Sequence, residues 1–155
     1  MSKGISKDAL RNYLNDLLEK PRVVEYVKNA RLLKHNKRKP KFLIDYKPTM
    51  MYERIPGKGV LRNAAGVCKG CNDIRIADWI LVDRDEARST VRHELAHALQ
   101  SYKYGISVRP HGKEFIEALK AVSPTNWRKD RHYTETSDIV KARTESFSNK
   151  KIMLV

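Results

Sequence analysis

Cysteine is scarce in this chain: two residues among 155, Cys68 and Cys71, both inside the tetrapeptide CKGC. That is too few for the disulfide framework of a small secreted domain. Long apolar runs are missing too, so no segment reads as a membrane-spanning helix. The opening MSKGISKDALRNYLNDLLEK has neither the apolar core nor the small-residue cleavage site of a secretory signal. These absences predict an intracellular protein. Acidic residues are short in number, 18 Asp plus Glu against 32 Lys plus Arg, and the balance is +14. No internal repeat and no low-complexity tract interrupts the chain.

What is present describes one charged, compact domain over residues 1–155. Hydrophobic residues make up 41% and charged residues 32%, and the apolar ones recur in periodic runs rather than blocks. A surface with this excess of cations attracts polyanions, of which nucleic acid is the commonest in a cell, so nucleic acid is the expected partner. Residues 1–41 read as a helical part ending in a basic run, 42–125 as the core, and 126–155 as a C-terminal segment.

In the first part Leu10, Tyr13, Leu14, Leu17 and Leu18 fall at helical spacing behind Ser6, a capping residue. After Pro21, Val23, Val24, Val27, Ala30 and Leu33 mark a second amphipathic helix. FLIDY (42–46), MMYERI (50–55), VLRNAAGVC (60–68) and DIRIADWILV (73–82) read as strands, the last two around the CKGC turn. From Asp85 to about Tyr104, Val91, Leu95, Ala98 and Leu99 form an apolar stripe, and Gly105 suits a helix C-terminus. A further helix follows Pro110, with Phe115, Ala118, Leu119 and Val122 on one face. IMLV at the end suggests a docked terminal strand. The sum is an α+β domain: N-terminal helices, a small mostly antiparallel sheet, and then two packed helices.

The long helix carries HELAH, residues 93–97. At i and i+4, His93 and His97 stand on one helix face roughly 5–6 Å apart, close enough to share a zinc ion. Glu94 lies beside that position without being a ligand, where it can take a proton from a zinc-activated water. An open catalytic zinc takes three protein ligands, so a third is needed. Gln100 and Lys103 stand where one protease class has Gly and His, which excludes that class. Glu114, Glu117 and His111 remain.

HELAH followed by HGKEF at 111–115 resembles the SprT-like family of zinc metalloproteases. The resemblance implies a zincin-like fold with His93, His97 and His111 as zinc ligands, Glu94 as general base, and Gly112 and Phe115 as structural residues of an active-site helix and its supporting helix. It implies a protein substrate that is bound or crosslinked to DNA, in agreement with the +14 charge. Several relatives carry a four-cysteine ribbon after the core, whereas no cysteine follows Cys71 here. Substrate is expected to lie along an exposed strand, which DIRIADWILV would supply. Tyr102, Tyr104 and Arg109 are the nearby candidates for oxyanion stabilisation.

The basic run RLLKHNKRKPK offers Lys34, Lys37, Arg38, Lys39 and Lys41 to a phosphate backbone, and Arg128, Lys129 and Arg131 form a second cluster beside Trp127. Few aromatic or amide residues interleave the run, so the expected binding is non-specific. CKGC reads as a turn, since no second CxxC completes a zinc knuckle. Two other functions fit the same residues. One is a nucleic-acid-binding module with a structural zinc closed by Glu114 or His132. The other is a peptidase that cleaves one specific regulatory protein.

Overall fold

The computed structural model describes residues 3–31, 48–53, 65–105 and 111–132. Two helices come first, α1 (Lys7–Leu18) and α2 (Pro21–Arg31). Ser6 caps α1 by accepting from the Ala9 amide at 3.1 Å, and Leu10, Leu14 and Leu17 are its buried stripe. Pro21 opens α2, where its missing N–H costs nothing. Three short strands follow, β1 (Thr49–Glu53), β2 (Gly66–Lys69) and β3 (Asp73–Ala77). Then come α3 (Arg84–Tyr104), α4 (Lys113–Val122) and the short α5 (Trp127–Arg131).

The sheet order is β1-β3-β2, with β1 parallel and β2 antiparallel to β3. The sheet is therefore mixed, where a mostly antiparallel one was expected. Side chains alternate across a strand in either orientation, so the residue pattern carries no direction. The order also puts β3 in the centre. Both of its edges are paired, so DIRIA cannot receive a substrate strand; among the described residues β1 and β2 are the edges.

DWILV is not the end of that strand. Asp78–Val82 winds into a 3-10 turn that buries Trp79 and Ile80 and leaves Val82 57% exposed. A short apolar run fits a covered strand or a covered turn equally well. Here the turn is tied to the N-terminal segment, through Ile5 N–H to the Leu81 carbonyl at 2.9 Å and Arg84 N–H to the Lys3 carbonyl. Asp83 then caps α3, accepting from the amides of Asp85 and Glu86 at 3.0 and 3.2 Å.

α3 is the axis of the molecule. It contacts α1, α2, β2, β3, the 3-10 turn, α4 and α5. Val91, Leu95, Ala98 and Leu99 are fully buried, as their spacing predicts, and Phe115, Ala118 and Leu119 of α4 meet the same core. Each fully buried Leu of this kind contributes about 1.5–3 kcal/mol. Gly105 ends α3 at φ 86°, a left-handed geometry that glycine adopts without strain. No helix among the described residues is long and apolar enough to cross a membrane. FLIDY, the terminal IMLV and the basic run from Lys34 to Lys41 lie outside the described residues.

Candidate metal centre

Three histidines from two elements converge. The Nε2 atoms of His93 and His97 on α3 are 3.2 Å apart, and His111 Nε2 lies 3.2 Å from the first and 3.0 Å from the second. His111 precedes α4 and stands at φ 79°, the one non-glycine residue among those described with a positive φ. That conformation costs on the order of 1–3 kcal/mol, and side chains at functional positions commonly carry such strain. Here it accompanies the approach of the third imidazole to the other two.

Phe115, fully buried, is in contact with all three imidazoles. Its ring is stacked on His97 with centroids 4.3 Å apart and lies 5.0 Å from both His93 and His111. It was expected to anchor α4 in the core; it also walls the histidine cluster. Burial dominates the electrostatics. It pushes His93 down to about 4, with His111 adding to the fall and a hydrogen bond to Asp130 opposing it. His97 is pushed down to about 3 by burial and by the two neighbouring rings, and His111 is lowered as well, chiefly by desolvation.

These rings fit a metal ion, and the reason is combinatorial. An imidazole Nε2 either donates or accepts. Three of them in mutual contact cannot form three donor–acceptor pairs, so at least one contact sets like against like. Three lone pairs turned inward on a cation remove the conflict. Nitrogens held tetrahedrally at about 2.0–2.1 Å from zinc lie roughly 3.3–3.4 Å apart, close to the spacing seen here. Among the described residues, these three form the group of side chains able to share an ion. Neither Glu114 nor His132 joins it. Glu117 is engaged elsewhere, with Lys103 and with the Tyr104 hydroxyl at 2.6 Å.

Two polar neighbours hold the rings. His93 Nδ1 donates to the Asp130 carbonyl at 2.7 Å, which leaves the lone pair on Nε2. The His97 ring hydrogen-bonds the side chain of the buried Gln100. Asp130 is in turn clamped. Its carboxylate, 0% exposed, accepts from Arg92 Nε at 2.6 Å, Arg92 Nη2 at 2.9 Å and the Ser123 hydroxyl at 2.6 Å. Arg92 also donates to the Tyr13 hydroxyl and Ser89 Oγ, both at 2.9 Å. Burial alone would lower the Arg92 pKa, but the bonds and charge of Asp130 outweigh it and the net direction is up. The Asp130 support is not legible in the sequence, because Asp130 is 37 residues from His93.

Glu94 is buried, 5% exposed, on the α3 side that meets β2. A Cβ built on Gly66 would fall 3.1 Å from Glu94 Cγ and 2.8 Å from Thr90 Cγ2, so only glycine leaves room for that carboxylate's stem. Burial pushes the Glu94 carboxyl up to about 8. A cation held by the histidines would draw it back, because a nearby opposite charge favours the carboxylate.

The remaining site residues are dispersed. Arg128 and Lys129 are exposed on α5 and Arg131 is half-buried, so that basic cluster exists on the surface. Lys34, Lys37, Arg38, Lys39, Lys41 and Arg109 lie outside the described residues. Tyr102 is 1% exposed and belongs to the core, which removes it as an oxyanion donor. Cys68 and Cys71 are not joined in a disulfide. Cys68 donates to the Gly70 carbonyl at 3.3 Å, and its thiol pKa is raised by burial first and by Glu94 second. Gly70 takes φ 62°, and the chain turns at residues 70–72, so CKGC ends β2 and opens the turn into β3.

An α+β domain with a mixed sheet, and with two histidines of its central helix meeting a third that precedes the next helix, is a zincin-like arrangement. Residues 25–137, well over half the chain, match the SprT-like family. The protein belongs to that family. Comparison with the curated proteins and with the solved structures finds no match.

Proposed function

We propose that the protein is an intracellular zinc-dependent endopeptidase that cuts proteins associated with DNA. The observation that carries this reading is the triangle of three Nε2 atoms, 3.0–3.2 Å on a side, with Glu94 next to His93 in the chain. Three nitrogen ligands from the described residues leave a coordination position open, which favours a catalytic over a structural ion. Bound there, zinc would polarise the scissile carbonyl and lower the pKa of a water toward about 7. Glu94 takes the proton of the attacking water and returns it to the leaving amine. His93 stays in the tautomer that the Asp130 carbonyl dictates, and Phe115 keeps bulk water from the buried side of the rings. An extended substrate would pair with an edge strand, and β2, which packs on α3, is the edge beside the centre.

The +14 charge supports a DNA-associated setting, and family membership supports the peptidase chemistry. The test is metal content and peptide cleavage in wild type, Glu94→Gln and His111→Ala. Wild type should hold about one zinc per chain. Glu94→Gln should keep the zinc and lose roughly 100-fold or more in cleavage rate, the usual worth of a general base. His111→Ala should lose both. Cleavage by Glu94→Gln at the wild-type rate would end the reading.

A further inference from the structure

Between α1, α3 and α5 the surface opens into a cavity of about 190 Å³, lined by Tyr13, Asp85, Arg88, Arg92, Asn126 and Lys129. Five of these six side chains carry hydrogen-bond donors. Arg88 lies over the Tyr13 ring, 4.9 Å from its centroid, and its Nε is buried with no hydrogen-bond partner among the described residues. An orphaned buried donor on a cation is costly unless a ligand or water supplies the acceptor. The Tyr13 hydroxyl accepts from Arg92 and keeps its own proton to give. Arg92 itself is neutralised by Asp130, so it stiffens the wall and leaves the charge of the cavity to Arg88 and Lys129. Asp85, the one acid, is 60% exposed and lies 3.8 Å from Arg84.

A ligand for this cavity needs several acceptor oxygens and at least one negative charge in a small volume, which describes a phosphate group. The surroundings choose its source. Exposed Arg128 lies over Trp127, 4.6 Å from the ring centroid, on the same short helix as Lys129. The whole chain carries +14, as suits a long polyanion more than a free ion. The cavity also adjoins the metal centre, since Arg92 precedes His93 and Asp130 bonds both. We propose that this cavity seats a backbone phosphate of nucleic acid on Arg88 and Lys129, with Asn126 and Tyr13 as neutral donors. The proposal rests on the reading of the substrate as DNA-associated, and adds where the DNA is held.

The experiment uses the full zinc-loaded chain and a short fluorescent DNA duplex, with anisotropy followed over a salt series. Arg88→Gln/Lys129→Gln should bind roughly tenfold more weakly and lower the slope of log affinity against log salt by about one. Lys28→Gln/Lys69→Gln removes the same charge from exposed positions on α2 and β2 and should leave that slope unchanged. Lys129→Glu, at an exposed position, repeats the first test without disturbing a buried side chain. Equal losses in the two double variants would overturn the proposal in favour of net charge. Stabilisation of wild type by inorganic phosphate, with duplex affinity indifferent to Arg88→Gln/Lys129→Gln, would overturn it in favour of a free ion. Displacement of the duplex by polyglutamate, lost in the same variant, would overturn it in favour of an acidic peptide. Wild-type cleavage of a DNA-free peptide is measured in parallel. Intact cleavage without duplex binding sinks the phosphate site alone, whereas absent cleavage sinks the peptidase reading.

Discussion

Replacing Asp130 by Ala should weaken both the fold and the grip on metal, by separable amounts. The Asp130 carboxylate is wholly buried and pairs bidentately with Arg92, whose side chain is 14% exposed. Removing one partner of such a pair strands the other charge in a poor solvent, at a cost of about 3–5 kcal/mol. Loss of the Ser123 acceptor adds about 1 kcal/mol. A urea titration of the metal-free chain measures this sum without the stabilisation that a bound ion would add by mass action. Arg92→Met/Asp130→Leu should recover much of the loss, because an apolar pair of similar volume needs no desolvation. The coupling between the two positions should be about 1–3 kcal/mol.

Metal affinity should not recover in that double variant. The Asp130 carbonyl accepts from His93 Nδ1 at 2.7 Å, and the clamp on its side chain fixes where that carbonyl stands. Loss of such an orienting partner costs about 10–100-fold in metal affinity. Competition with a chromophoric chelator reads this directly. A stability loss below about 1 kcal/mol in Asp130→Ala would refute the buried-pair argument. Wild-type metal affinity in the double variant would refute the orienting role.

Other consequences are equally open to measurement. Gly66→Ala should cost about 1–3 kcal/mol in a thermal melt, since its methyl would sit 2.8 Å from Thr90 Cγ2, and should lower cleavage by displacing Glu94; a wild-type melting temperature would contradict the packing. Phe115→Leu should fold with a modest loss but bind metal more weakly, because the ring stacked 4.3 Å from His97 is gone; unchanged affinity in the chelator competition would mean that the stacking is incidental. The metal-free chain should be most stable near pH 6.5. His93 at about 4 and His97 at about 3 lie below their ordinary 6.5, so the unfolded chain takes up more protons below pH 6.5 and stability falls with acid. Glu94 at about 8 lies above its ordinary 4.5, so the folded chain keeps a proton that the unfolded one has lost, and stability falls as pH rises toward 8. Between pH 4.5 and 6.5 these two histidines outweigh the one carboxyl by a single proton, a slope of about 1.4 kcal/mol per pH unit, and His111, lowered as well, adds to it in the same direction. Denaturation midpoints at three pH values decide this, and a monotonic rise to pH 8 would contradict it.

Local order was legible in the sequence wherever one element sufficed. HELAH on a periodic helix places His93 and His97 together because i and i+4 share a face, and Ser6, Gly105 and the stripe of α3 follow from the same periodicity. His111 and the zincin-like fold came from the resemblance of HGKEF to a family pattern, since no spacing rule takes a histidine across residues 98–110. The parallel pairing of β1 with β3 and the 3-10 turn at Asp78–Val82 were hidden for a different reason. Both depend on what covers a short apolar segment, and its neighbours in the chain do not contain that information. Asp130 was hidden most completely. In WRKDR it looks like one acid diluting a basic cluster, whereas in the fold it is the buried centre of a network joining α1, α3, α4's end and α5.

That network also explains why α3 tolerates so many buried polar groups. Ser89, Thr90, His93, Glu94 and Gln100 are all buried on one helix, and each would cost several kcal/mol if left without a partner. Most have one: Ser89 accepts from Arg92, Thr90 donates to the Glu86 carbonyl at 2.9 Å, His93 donates to Asp130, and Gln100 bonds His97. The Glu94 carboxyl, by contrast, is pushed up to about 8 with desolvation as its cause, and the three Nε2 atoms cannot all pair with one another. One buried acid and three imidazole nitrogens thus gather at positions 93, 94 and 97 of α3 and at His111, just before α4. A single divalent cation answers all four at once, by accepting the lone pairs and by favouring the carboxylate. Packing alone gives no reason to bring three imidazole nitrogens within 3.0–3.2 Å of one another beside a buried acid, a need distinct from that of Arg88 Nε, the buried donor on the same helix without a partner among the described residues.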